Sequence, residues 1–535
     1  MGPLLINLRL LLVPLSLLLL GLVVASAMVL PLAYLGIRAV GIGGEFLAFI
    51  SSARILDALL NTAILTIVVT VLSALIAVPA AFVTMRTDLP ARRFWSVAMA
   101  LPLAIPSFVG SFAILGALAP RGSILQLLLS SFGVDRLPSI YGWPGAILAL
   151  TLFTYPYMFL TTRAGLLGID PAIEEAASTL GYGHRETFMR VTLPHMYPSI
   201  ATGALLVASY VLSDFGTPSL MRFNSLTRMI YIEYQSAFDR SGAAVLGLLL
   251  VVQVVIILSL EHRARNRASY YSVGPGSKRI TSTIKLGRWR WPAMIFSAGV
   301  TIPGLILPLA ILIYWLINGV LAGEYFQPFL ELAFNTAYVS SLALLIIPAA
   351  LPVALLSVRF RSRVSSTLES LTYVGFAMPG IVVALSLVSF AANYATILYQ
   401  SMGLLIFAYA ILFIPLAVGT LRSSLLTINP QMEDVARSLG LGQVRVLVKI
   451  TLPLARPGLL TAAALVMLTT MKELPATLLL APVGFRTLAT QVWSNTNDAF
   501  FAQAAVPAIL LVAISALLVT VILSQERPRE QSGGS

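Results

Sequence analysis

The sequence predicts an all-α integral membrane protein of twelve transmembrane helices, arranged as two parallel six-helix repeats. Three observations predict it. Of 535 residues, 58% are hydrophobic and only 10% charged, with mean hydropathy +0.92, whereas soluble domains carry about 25% charged residues. The charges that remain fall between long charge-free intervals, most of them exceeding the ~20 residues that cross a ~30 Å hydrocarbon core at ~1.5 Å per residue. A segment of 26 residues also recurs at an offset of 259.

The charge-free intervals in the first half of the chain are 10–37, 58–85, 94–120, 137–162, 191–213 and 241–260. Those in the second are 291–323, 332–358, 370–421, 457–471 and 499–525. Interval 370–421 is long enough for two spans, with a polar break at Asn393 and Tyr394, which brings the total to twelve. The stretch 10–31 imitates a cleavable signal, with Ala25-Ser26-Ala27 as its site. It is long for such a segment, and its removal would leave eleven spans, so it is taken as the first helix.

A net charge of +13 invites a nucleic-acid reading, but the placement of the cations opposes it. With the N-terminus inside and loops alternating, 25 Lys and Arg fall on the inner side and 8 on the outer, with Lys472 at membrane depth. The bias sets both termini in the cytoplasm, which makes the basic balance a topology signal and argues against DNA or RNA binding. The chain has no cysteine, which excludes disulfides, thiolate metal sites and a thiol nucleophile.

The repeat pairs residues 169–194, IDPAIEEAASTLGYGHRETFMRVTLP, with 428–453, INPQMEDVARSLGLGQVRVLVKITLP, matching at 10 of 26 ungapped positions. Asn61-Thr62-Ala63 recurs as Asn335-Thr336-Ala337 at an offset of 274, so the first half holds about 15 extra residues in between, assigned to the outer loop 119–141. Six spans per repeat is an even number, so both halves enter the membrane in the same sense, as parallel repeats with a path between them. The halves are read as 1–260 and 292–535, joined by a cytoplasmic linker, 261–291, rich in Arg, Lys, Gly and Ser.

Within each repeated loop, Asp170-Pro171 and Asn429-Pro430 read as an N-cap followed by proline at the first helical position. Glu174, Glu175, Glu433 and Asp434 follow in the first turns, where carboxylates suit the helix dipole. Gly181 and Gly440 then end a helix of about ten residues, marginal in water unless it packs on something.

These residues resemble the EAA loop of permease subunits of ATP-binding cassette importers: Glu-Ala-Ala, then Gly, then a closing Leu-Pro. The first copy is Glu175, Ala176, Ala177, Gly181, Val191, Leu193 and Pro194. The second is Asp434, Val435, Ala436, Gly440, Ile450, Leu452 and Pro453, with Asp in place of Glu and Val in place of Ala. The resemblance implies that the loop helices dock into clefts of ATPase subunits and transmit their closure. It thus assigns coupling to Glu174, Glu175, Ala176, Ala177, Gly181, Glu433, Asp434, Ala436 and Gly440. No G-x-x-x-x-G-K-[ST] occurs, so the chain is expected to be no enzyme and to hold no cofactor. ATP and Mg would be bound by partner ATPases, most simply two. The remaining partners implied are a periplasmic substrate-binding protein and membrane lipid, and the implied location is the bacterial inner membrane.

Asp214 and Glu473 share the offset of 259 and fall about 24 Å along the helices that follow the two loops. Lys472 is adjacent. Ionisable groups inside spans cost ~2.5 kcal/mol or more and face interiors, cavities or partners, so all three are candidates for lining a path. The alternative is a structural ion pair between Lys472 and one of the carboxylates.

Ser213-Asp214-Phe215-Gly216-Thr217-Pro218 and Lys472-Glu473-Leu474-Pro475-Ala476-Thr477 look like the ferric iron permease branch of that family, similarly a fused twelve-span chain. Permeases for thiamine, polyamines, sulfate and phosphonate share the architecture. A hard cation suits oxygen groups such as Asp214, Glu473, Glu233 and Tyr234. Glu233, Asp239, Glu324 and Asp498 in outer loops read as docking or solvated face, and no metal ligand set is assigned. A twelve-helix ion-coupled secondary transporter is the competing class. It would carry coupling charges in several spans and no duplicated loop.

Overall fold

In a computed structural model that describes residues 15–41, 43, 46–236, 240–267, 283–325 and 328–525, the chain is almost wholly helical. Among these residues no strand forms, only one parallel bridge between Thr87 and Ile284. Linker residues 268–282 and Asp239 lie outside the described residues.

The first half runs α1 (Leu15–Val40), α2 (Ala53–Arg86), α3 (Ser107–Leu118), α4 (Trp143–Leu167), α5 (Pro171–Thr179), α6 (Leu193–Ser213), α7 (Leu226–Ser236) and α8 (Arg240–Arg267). The second repeats the plan as α9 (Gly287–Leu321), α10 (Phe329–Arg359), α11 (Gly380–Tyr394), α12 (Met402–Leu426), α13 (Pro430–Ser438), α14 (Arg456–Lys472), α15 (Leu488–Asn497) and α16 (Phe501–Gln525). Among the described residues eight helices are long and apolar enough to cross a membrane, or eleven if each of three bent pairs counts as one span. The shorter apolar stretch Ser241–Ile257 of α8 completes six segments in each half. The polar break expected near Asn393 and Tyr394 is where α11 ends.

The third span of each half is not the straight helix its hydropathy suggests. Arg92–Ala104 meets α3, and Arg363–Ala377 meets α11, at 99° in both cases. The cause is local. Pro106 and Pro379 cap α3 and α11 and cannot donate an N–H, and the residues before them, Ile105 and Met378, take the extended backbone that proline imposes (ψ 116° and 115°). A proline-directed bend turns each third span into two arms.

The halves interlock rather than lie side by side. One core joins α10, α11 and α12 to Met28 and Leu35 of α1 and to Leu246 and Leu250 of α8. The other joins α2, α3 and α4 to Leu312 of α9 and to Ala508 and Leu511 of α16. The first and last spans of each half thus complete the core of the other, and Ser386 of α11 donates to the Pro31 carbonyl of α1 across the join (2.9 Å).

This arrangement predicts that neither half is stable alone. Chains 1–267 and 283–535 expressed separately should be protease-sensitive, and co-expressed they should co-purify and regain protection. A protected single half would contradict the interlocked cores.

Candidate functional site

The capping residues build both loop helices. Asp170 Oδ1 accepts from the Ala172 N–H, and Asn429 Oδ1 from the Gln431 N–H, each at 3.0 Å. Gly181 and Gly440 have φ of +88° and +86°, and the following residues donate back to Ala177 and Ala436 (3.1 Å each), closing the glycine-dependent C-cap. α5 lies beside the end of α2, and α13 beside the end of α10.

Each helix presents two faces. Inward point Glu174 and Ala177 of α5, and Glu433 and Ala436 of α13. Outward point Glu175, Ala176 and Asp434, together with apolar side chains left uncovered: Ile173 and Leu180 in the first copy, Met432, Val435 and Leu439 in the second. Leu180 and Leu439 are 77% and 79% exposed, a large cost for leucines facing water. Asp434 differs from its counterpart Glu175 by an ion pair with Arg437 at 2.7 Å.

The inward glutamates share one set of partners in both copies, and Glu433 has a further one in Arg437 (3.5 Å). Arg86, the last residue of α2, lies 3.5 Å from Glu174 and donates to the Leu166 carbonyl at the end of α4 (3.2 Å). Arg359, the last residue of α10, lies 3.1 Å from Glu433 and donates to the Ile428 carbonyl (3.2 Å). Thr192 and Thr451 donate to the same carboxylates at 2.8 and 3.0 Å. Both threonines end a turn of π-helix that leads into α6 or towards α14.

At the far ends of α6 and α14, Asp214 and Glu473 are half-buried, as is Lys472. Asp214 accepts from Ser107 Oγ at the start of α3 (2.9 Å) and from the Thr217 N–H (3.3 Å). Glu473 accepts from the Ala476 N–H (3.1 Å) and sits against Gly380 at the start of α11, where an added methyl would lie 2.5 Å from its Oε1. Ser107 and Gly380 occupy corresponding places, so one half pairs a hydroxyl with the shorter acid and the other pairs an open backbone with the longer one. Lys472 reaches across the halves and donates to the Leu103 carbonyl at 2.6 Å. Among the described residues no salt bridge joins it to Asp214 or Glu473, so the ion-pair alternative is not the arrangement formed.

Of the outer-loop acids, Glu233 pairs with Arg54 at 3.2 Å, and Glu324 and Asp498 are exposed. Among the described residues no cluster of three or more His, Cys, Asp and Glu residues is suited to a metal ion.

Sequence reasoning left several residues without a role. Arg86 and Arg359 were counted only as topology-setting cations, and Ser107 and Gly380 lay inside uniform apolar runs. Asn61-Thr62 and Asn335-Thr336 repeat in the sequence because they do the same task in each half. Thr62 and Thr336 accept from the first N–H of α7 and α15 (2.9 and 2.8 Å), while Asn61 and Asn335 donate to the carbonyls of Asn224 and Arg486. They fix the segment that follows each carboxylate.

The paired side chains at the carboxylates predict a swap experiment. G380S alone should lower the thermal midpoint of the detergent-purified protein, since overpacking costs ~1–3 kcal/mol. G380S/E473D, which recreates the Ser107–Asp214 pairing, should recover most of it. A double variant no better than the single one would show that the two positions are independent.

Both halves match the family model described as binding-protein-dependent transport system inner membrane component, over residues 74–267 and 346–527. The chain is 34% identical, over 95% of its length and 98% of the relative's, to an Fe(3+)-transport system permease protein of Haemophilus influenzae. It is 25% identical, over 89% of its length and 88% of the relative's, to a probable ABC transporter permease protein of Sinorhizobium fredii. A molybdenum transport system permease protein of Escherichia coli is 29% identical over 34% of this chain and 80% of its own, a match of about one half. With both copies of the loop and the duplicated spans accounted for, the chain belongs to the family of binding-protein-dependent transport system inner membrane components, as a fused, multi-pass importer permease.

Proposed function

We propose that this permease imports ferric iron. A periplasmic binding protein delivers the cargo, and two separate ATPase subunits, which hold ATP and Mg, drive its passage. The identity to an Fe(3+)-transport permease along essentially the whole chain carries the substrate assignment. The carboxylates Asp214 and Glu473 at the inter-half join suit a hard cation, which prefers oxygen groups. Sites of this kind need only pass the cargo on, because the binding protein supplies most of the selectivity.

The loops α5 and α13 are the coupling elements, each docking one ATPase subunit. Their uncovered leucines, next to Glu175 and Asp434, offer the apolar centre and polar rim of a docking surface. In this reading the loop-bearing end and both termini face the cytoplasm across the bacterial inner membrane. Residues 1–260 and 292–535 form the two permease halves, and 261–291 bridges them on the cytoplasmic side.

Two measurements test the proposal. Membrane vesicles containing the permease, its ATPase and its binding protein should accumulate ferric iron on ATP addition, and not thiamine, polyamines, sulfate or phosphonate; uptake of one of those instead of iron rejects the substrate. L180D/L439D should release the ATPase subunits on purification, and their full retention would refute docking by the loop helices.

A further inference from the structure

The outward faces of α5 and α13 explain how a partner binds, but not how its movement reaches the membrane. We infer that Arg86 and Arg359 are positioning residues that lock each loop helix to the spans it must move. The inference rests on the coupling role proposed above and names the parts that deliver the stroke.

The same three-part clamp occurs twice. Arginine comes from the last residue of the second span, glutamate from the fourth position of the loop helix, and threonine from the π-turn before the fifth span. The arginine side chains are 6% and 11% exposed, Glu174 is 21% exposed and Glu433 only 5%. Charges this far from water interact more strongly than surface pairs, which contribute little. Each arginine has a second task, donating to the Leu166 or Ile428 carbonyl. The clamp in the first half therefore ties α5 to the ends of α2 and α4 and to the start of α6. In the second it ties α13 to α10, to the turn after α12 and to the π-turn before α14.

Orientation separates this role from docking. Glu174 and Glu433 point into the bundle, and residues on the opposite face meet the partner. A loop helix of 9 residues capped at both ends behaves as a rigid lever, yet a lever joined only through its backbone would bend at Gly168 and Gly183. The clamp bypasses those bends by joining side chains at the middle of the lever to the ends of the spans. Beyond the arginines, α2 and α10 carry Thr62 and Thr336, which hold the segments after Asp214 and Glu473. One pair of helices thus connects the lever end to the carboxylate end.

The absence of cysteine from the sequence permits a direct test. Arg92 and Arg361, both exposed just beyond α2 and α10, are replaced by cysteine and spin-labelled in the full complex with ATPase and binding protein. In the parent, ATP should change the distance between the labels. In R86Q/R359Q the ATPase subunits should still co-purify and hydrolyse ATP, while the distance change is lost and cargo moved per ATP falls by about 5- to 150-fold, the span of ordinary allosteric couplings. R86K/R359K, which keeps the charge, should recover much of the loss. The single variants R86Q and R359Q, each with one clamp intact, give intermediate losses and keep the test in folded protein if the double variant is not inserted. An unchanged distance response and unchanged cargo per ATP in the glutamine variants would overturn the inference, as would release of the ATPase subunits. Failure of the docking reading is seen separately, as retention of ATPase by L180D/L439D.

Discussion

A backbone N–H or carbonyl inside lipid must find a partner within the protein, because no water is there to serve it. Unbroken helices meet that demand by themselves. This chain breaks its helices at membrane depth, at Pro106, at Pro379 and after Ser213 and Lys472, and its charged residues at that depth appear at those breaks. Asp214 accepts from the N–H of Thr217, where a new helical turn begins, and from Ser107 at the start of α3. Glu473 accepts from the N–H of Ala476. Lys472 donates to the carbonyl of Leu103, in the short helical turn that ends before Pro106. The signs follow the helix ends: acids where N–H groups are left over, a base where a carbonyl is left over.

That rule reconciles two descriptions of the same residues. A structural partner and a path-lining group are usually offered as alternatives, yet a helix break in a membrane is tolerated only where it is buried in protein or lines a cavity. Asp214, Lys472 and Glu473 are half-buried at these breaks and bonded to backbone groups there, and the two descriptions are compatible. Their polar atoms complete the backbone at the breaks. The breaks place charge at the join between halves, and the halves can move there without exposing a bare backbone to lipid.

Much of this was legible in the sequence because it depends on local rules. Asp170-Pro171 and Gly181 define a helix by capping alone, and the same signals at Asn429-Pro430 and Gly440 repeat it. The offset of 259 located the second carboxylate from the first. What stayed hidden depends on direction and on distant partners. Hydropathy averages over a window and cannot register that Pro106 and Pro379 turn the chain by 99°. Nor does composition say that α1 and α9 cross to the opposite core. Arg86 and Arg359 look like any basic residue ending a span, and only the fold reveals that Glu174 and Glu433, rather than water or headgroups, receive them.

The repeat is imperfect. The longer Glu473 is matched by Gly380 and the shorter Asp214 by Ser107, so the two carboxylate seats have diverged while each keeps its fit. Asp434 has an Arg437 partner on the face where Glu175 has Ser178 beside it. The chain returning from the linker pairs with the first half: the Ile284 N–H donates to the Arg86 carbonyl (2.8 Å), the Asp88 N–H to the Ile284 carbonyl (3.1 Å), and the Leu286 N–H to Asp88 Oδ1 (2.8 Å). The end of α2 is thereby held by its clamp on one side and by the second half's leading segment on the other, whereas among the described residues no such hydrogen bond joins the linker to α10. Two levers of the same design are thus seated in unequal surroundings. The proposed pair of ATPase subunits, closing symmetrically on them, would then meet a stiffer first half and a freer second one.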